Sequence, residues 1–98
     1  MRIDQYLKLA RIIKQREVAK KACDRGMVSI EGKVVKPSHD VVVGDQILIE
    51  WPHRRIEIEV LDTPRGNVPK ARAKQLYNTI RDEELVDDLL NFESLESI

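Results

Sequence analysis

The sequence predicts an α+β domain: two short helices packed on a small, mostly antiparallel sheet, followed by a C-terminal helix. Three observations predict it. Up to residue 25, apolar residues recur with the 3.6-residue period of a helix. From Gly26 to Leu61 they fall into short alternating runs, punctuated by Glu31-Gly32, Pro37-Ser38 and Gly44-Asp45. Helical periodicity then returns at Lys70.

The first helix is expected over residues 3 to 10, with Ile3, Tyr6, Leu7 and Ala10 on one face. Asp4 lies in its first turn, where a carboxylate is favoured, and is spaced to pair with Lys8. Ile12 to Gln15 reads as a break, with Gln15 a poor N-cap. A second helix is expected over residues 16 to 25, burying Val18, Ala19, Ala22 and Cys23. Arg16 with Lys20, and Lys21 with Arg25, stand one turn apart on its polar side, where like charges repel. A Glu17–Lys21 pair would offset part of that repulsion. Gly26 then suits the left-handed position that ends a helix.

Met27 to Ile30 and Lys33 to Val35 flank Glu31-Gly32 and read as a hairpin. Val41 to Val43 leads into the turn at Gly44-Asp45. Gln46 to Trp51 and Arg55 to Leu61 alternate as strands, joined through Pro52 to Arg54. Ile47, Ile49 and Trp51 share one face; Ile56, Ile58 and Val60 share another, opposite Glu57 and Glu59. Asp62 to Val68, with Pro64 and Gly66, reads as a loop. Lys70 to Ile80 has helical spacing through Ala73, Leu76, Tyr77 and Ile80. Residues 81 to 98 either continue a helix through Leu85 and Leu89 or form an acidic tail.

Composition sets the class. The chain has 98 residues, 42% of them hydrophobic and 35% charged, and one cysteine, so no internal disulfide is possible. No apolar run approaches the roughly 18 residues that span a bilayer, and the charged N-terminus lacks a signal-peptide core, so a cytoplasmic location is expected. Net charge is zero but polarised along the chain. Residues 1 to 36 hold ten Lys or Arg against four acidic residues, and residues 37 to 80 balance at six against six. Residues 81 to 98 hold one Arg against seven acidic residues. The basic end is expected to face a polyanion; the bland alternative is a solvated surface.

The run MRIDQYLKLARIIKQREVAKKACDRGMVSIEGKVVKPS, followed by VVVGDQILI, resembles the RNA-binding domain first described in ribosomal small-subunit protein four, with its αL motif. Arg2, Asp4, Lys14, Arg16, Ala19, Gly26, Val28, Gly32, Val35, Gly44 and Asp45 carry the match over about the first 60 residues. Gln15 and Glu31 depart from the common pattern. The resemblance implies an αL-motif domain over residues 1 to 62 and an extension over 63 to 98, a helix followed by an acidic tail. Within that group the chain is similar to the small ribosome-quality-control factors of the RqcP family. The runner-up is the fifteen-kilodalton heat-shock family, whose basic C-terminus contrasts with the acidic one here.

This resemblance implies a non-enzymatic accessory factor of the large ribosomal subunit, contacting rRNA and peptidyl-site tRNA. It would assist C-terminal alanine tailing of stalled nascent chains beside the tailing factor RqcH, without cofactor, metal or membrane, and as a monomer. The heat-shock alternative binds blocked large subunits carrying peptidyl-tRNA. From another class, the charges would serve docking to a protein instead.

The RNA-binding residues expected are Arg2, Lys8, Arg11, Lys14, Arg16, Lys20, Lys21 and Arg25. Arginine matches phosphate with a planar fork, and Lys14 and Arg16 open the second helix, where free N–H groups favour an anion. Readout of phosphate and shape is expected, since double-helical RNA hides its major-groove edges. Cys23 reads as core. Tyr6 and Trp51 are suited to stacking on bases, but both lie on apolar faces, which favours packing. His39 and His53 are scattered, with no metal-ligand spacing. Arg65, on the balanced middle segment, is expected to lie away from the basic face.

Overall fold

The computed structural model describes residues 1–84. The elements run α1 (Ile3–Leu9), α2 (Arg16–Asp24), β1 (Val28–Ile30), β2 (Lys33–Val34), β3 (Gln46–Trp51) and β4 (Arg54–Val60). A single helical turn α3 (Lys70–Ala73), a 3-10 turn over Lys74–Leu76 and β5 (Tyr77–Glu84) follow. All strand pairs are antiparallel, in the order β2-β1-β3-β4-β5.

The two helices are short and end in the same way. Each closes with paired backbone bonds around a left-handed residue, so the orphan carbonyls of the last turn are satisfied. In α2 that residue is Gly26 (φ 75°), with Gly26 N–H donating to Cys23 and Met27 N–H to Ala22. In α1 it is Arg11 (φ 58°), with Arg11 N–H donating to Lys8 and Ile12 N–H to Leu7. Glycine enters this region freely; a residue with a Cβ pays about 1 kcal/mol or more. Between the helices Ile13 is buried, which anchors the connection.

Ile3, Tyr6 and Leu7 of α1 join Ala19, Ala22 and Cys23 of α2, and the inward residues of the sheet, in one core. Val28, Ile47, Ile49, Ile58 and Val60 supply the sheet's share, as their alternation requires. Val18 does not take part; it is 46% exposed, because α2 turns its Ala19–Ala22–Cys23 stripe inward. Glu31 and Gly32 both have positive φ (50° and 85°) and form the two-residue turn between β1 and β2. The β3–β4 turn is also tight: Trp51 pairs with Arg54, leaving only Pro52 and His53 between them.

The helix expected through Ile80 starts at Lys70 but ends at Leu76. From Tyr77 the chain is a strand along β4, with an irregularity between Glu57 and Ile58. The helical spacing was a coincidence of three core contacts: Ala73 and Leu76 are buried and Tyr77 packs half-buried against the core, whereas Ile80 is 44% exposed. Asn78, Thr79 and Ile80 are weak helix formers, and the open edge of β4 offers a full ladder of backbone partners. The Arg54 guanidinium donates to both Asp82 carboxylate oxygens at 2.9 and 2.8 Å, fastening the polar strand. The helical or acidic tail expected beyond this strand lies outside the described residues.

Candidate nucleic-acid interface

Arg2 precedes α1 in extended conformation (φ −68°, ψ 145°). Its neighbours tie the chain start down: Ile3 N–H donates to the His39 carbonyl at 2.8 Å, and Val41 N–H to the Met1 carbonyl at 2.8 Å. Two residues on, Asp4 is fully buried. It does not pair with Lys8, because it lies with Ile3 and Leu7 on the inward face. Its partners come from either side. The Arg2 guanidinium donates through Nε and Nη2 to the two carboxylate oxygens at 3.2 Å each, and Gln5 N–H donates to Oδ1 at 2.8 Å. Arg16 Nε, from the first residue of α2, lies 3.4 Å from Oδ2. One buried carboxylate thus holds both arginines, each with 44% of its side chain still in water.

A charge this deep is tolerable only when paired and hydrogen-bonded. The arrangement also fixes two long side chains that would otherwise sample many rotamers, lowering the entropic cost of binding an anion. A guanidinium carries five N–H donors; those not spent on Asp4 remain for a ligand. Gln15 makes no side-chain cap on α2, so its first-turn N–H groups lie beside Arg16 without a capping acceptor.

The other expected cations divide in two. Lys8, Arg11 and Lys14 gather on one groove. Lys20 is half-buried, and Lys21 and Arg25 are exposed along α2. Glu17 and Lys21 form no ion pair among the described residues, so the charge of α2 is not offset in that way. Arg65 is not remote from the start of the chain: with Gly66 and Thr63 it lines a shallow cleft against Met1 and Gln5. The 61–69 loop folds back along α1, which its Pro and Gly content could not reveal.

The remaining candidates belong to the core. The Tyr6 hydroxyl donates to the Leu76 carbonyl at 2.7 Å, and burial raises its pKa well above the ordinary value. Cys23 is 3% exposed, and burial, then Asp4 and Asp24, push its thiol up to about 11, so it stays protonated at neutral pH. Trp51 packs half-buried against the core. Sequence reasoning missed Asp4 as the shared partner and Asn67 and Lys70 as groove residues. For Asp4 a signal existed: an acid on the apolar stripe, three residues before Leu7 and two after an arginine, is placed for burial with a cation.

Residues 1–47 match the S4 domain family, so the paired helices and hairpin that carry the two held arginines define a small S4-domain protein. The chain belongs to the family of the RQC P-site tRNA stabilizing factors. It is 33% identical over 85 residues to that factor of Bacillus subtilis (strain 168), covering 87% of this chain and 98% of the relative. It is 34% identical over 89 residues to that of Streptococcus pneumoniae (strain ATCC BAA-255 / R6), covering 91% and 100%. The solved structure of trimeric Vibrio cholerae heat shock protein 15 superposes with a TM-score of 0.74 at 30% identity, over 81% of this chain and 80% of that one.

Proposed function

We propose that this protein is an RNA-binding accessory factor of the large ribosomal subunit in ribosome-associated quality control. It contacts rRNA and peptidyl-site tRNA and assists C-terminal alanine tailing of stalled nascent chains. The observation that carries this reading is the pair Arg2 and Arg16 held on buried Asp4 with their outer faces in water. Phosphate recognition needs this combination: fixed planar donors, free N–H groups and a helix start beside them. The relatives' shared name, a P-site tRNA stabilizing factor, supports the tRNA contact.

The role is binding rather than catalysis, in keeping with the S4 match and that name. The protein acts in the cytoplasm as a monomer, beside an RqcH-type tailing factor. No helix among the described residues is long and apolar enough to cross a membrane. The likeness to heat shock protein 15 favours a related second reading, binding to blocked large subunits that carry peptidyl-tRNA. Both readings use the same RNA face.

The test is co-sedimentation with free large subunits across a salt series. Association should fall steeply as salt rises, because each neutralised phosphate releases counterions. Salt-insensitive association would point to protein docking instead. No association with subunits, with or without tRNA, would overturn the proposal.

A further inference from the structure

The groove between the α1–α2 connection and the segment after the 61–69 loop has a volume of about 620 Å³. Lys8, Arg11 and Lys14 line one side and Lys70 the other, with Leu9 and Val68 as the apolar part and Asn67 beside them. We infer that this groove seats a second stretch of RNA backbone, so that Asn67 and Lys70, beyond the matched S4 residues, belong to the interface; the inference rests on the RNA-binding reading above.

Four observations carry it. The first is charge without a counter-charge. Lys8, Arg11, Lys14 and Lys70 have no carboxylate partner, and no acid lines the groove, among the described residues. Four like charges brought together from three segments repel unless an anion lies among them.

The second observation is backbone conformation. α1 and α2 end in the same motif, but α2 places Gly26 in the left-handed position and α1 places Arg11 there. Nothing in the helix end requires a side chain at that position. The arginine is strained where glycine would be relaxed, and its side chain lines the groove.

The third observation is the chemistry of the lining. Leu9 and Val68 are half-buried and suit the apolar edge of a ribose, and an Asn amide can donate to and accept from a 2′-hydroxyl. Cations flanking an apolar strip with an amide beside it suit a phosphate–ribose strand better than a lone phosphate. The fourth is continuity. Lys14, on the groove, stands two residues before Arg16, which Asp4 holds, so one short stretch of chain carries both sets of cations.

The test uses the full chain, free large subunits and a salt series, with thermal unfolding of each variant. Lys70→Ala should bind about three- to tenfold more weakly and lower the salt slope by about one. Asn67→Ala should bind about two- to fivefold more weakly with the slope unchanged. Lys74→Ala, one turn beyond Lys70 and outside the groove, should bind as the parent does. Arg11→Gly is the decisive variant: it should melt a few degrees higher, from relief of strain, yet bind about tenfold more weakly. A purely structural role for Arg11 predicts no such opposition.

If Lys70→Ala and Arg11→Gly bind as the parent does while Arg16→Ala is weakened, the groove is not a site and the interface ends at the Asp4-held arginines. If Lys74→Ala weakens binding as much as Lys70→Ala, diffuse charge replaces the groove and the inference fails. If the parent shows no salt-dependent association, the RNA-binding reading itself fails first.

Discussion

Arg16→Ala separates what the arginine does for the fold from what it does for RNA. By sequence alone the substitution looks thermodynamically silent, under about 0.5 kcal/mol, as for a solvated surface residue. The structure revises that. Arg16 Nε lies 3.4 Å from a carboxylate that is fully buried. Removing the sole partner of a buried charge costs about 3 to 5 kcal/mol. Asp4 keeps the two donors of Arg2 and the Gln5 N–H, and Arg16 itself is 44% exposed, so solvent screens much of the attraction. The expected cost is therefore about 1 to 2 kcal/mol, or roughly 5 to 15 °C in Tm for a domain of this size. Arg2→Ala, which removes two guanidinium donors at 3.2 Å, should cost more.

Binding is then measured well below the lowest Tm, where each variant is folded. Charge-assisted bonds to phosphate are worth about 1.5 to 3 kcal/mol, so Arg16→Ala should weaken association with the large subunit about tenfold to a hundredfold. Arg16→Lys should recover most of the stability but less of the affinity, since a point charge cannot form the planar fork. Two results would refute this reasoning. A melting temperature within a degree or two of the parent would show that the Asp4 contact adds nothing to the fold. Binding equal to that of Lys74→Ala would show that Arg16 is not in the interface. Arg65 lines a cleft with Met1 and Gln5 at the start of the basic segment, so it does not serve as that control.

Three further outcomes are expected. Tyr6→Phe removes the 2.7 Å hydroxyl donor to the Leu76 carbonyl, which still accepts from the Leu61 and Asp62 N–H groups at 2.9 and 3.2 Å, and should cost about 0.5 to 1.5 kcal/mol by chemical denaturation; an unchanged midpoint would show that the hydroxyl bond adds nothing to the fold. Stability should decline as pH rises from about 9 to 11: the unfolded Cys23 thiol ionises near its ordinary value while the folded one stays protonated, so the unfolded state binds fewer protons. A shift of this size is worth roughly 2 to 3 kcal/mol once the pH has passed both values, and Cys23→Ala should remove that part of the decline in a melting series, leaving the part above about pH 10 that the raised Tyr6 hydroxyl contributes. Ending the chain at Glu84 should leave a folded protein, since the five described strands lie before it. Loss of the acidic residues beyond should tighten RNA binding, most at low salt, if they compete for the basic face; equal affinity in a filter-binding assay would reject the competition.

The sequence by itself determined the features that depend on near neighbours. Helical period over Ile3, Tyr6 and Leu7 and over Ala19, Ala22 and Cys23 located α1 and α2. Gly26 marked the helix end, and alternation through Ile47, Ile49, Ile56 and Ile58 located β3 and β4. The surplus of cations before residue 37 marked the face to test. Such signals are written within one or two turns of chain, because side-chain direction repeats locally.

Only the tertiary structure decided the rest, because the partners are far apart in sequence. Asp4 could be assigned to Lys8 by spacing, but the crossing of α1 and α2 buried it between Arg2 and Arg16. Tyr77 to Glu84 carries no strand alternation of its own, since most of its residues face water. It is a strand because the edge of β4 supplies its hydrogen bonds and Arg54 meets Asp82 across the pair. Lys70 reaches Lys8, Arg11 and Lys14 only because the 61–69 loop folds back along α1. Local period fixes which way a side chain points; what it meets there depends on which distant surface folding brings up against it.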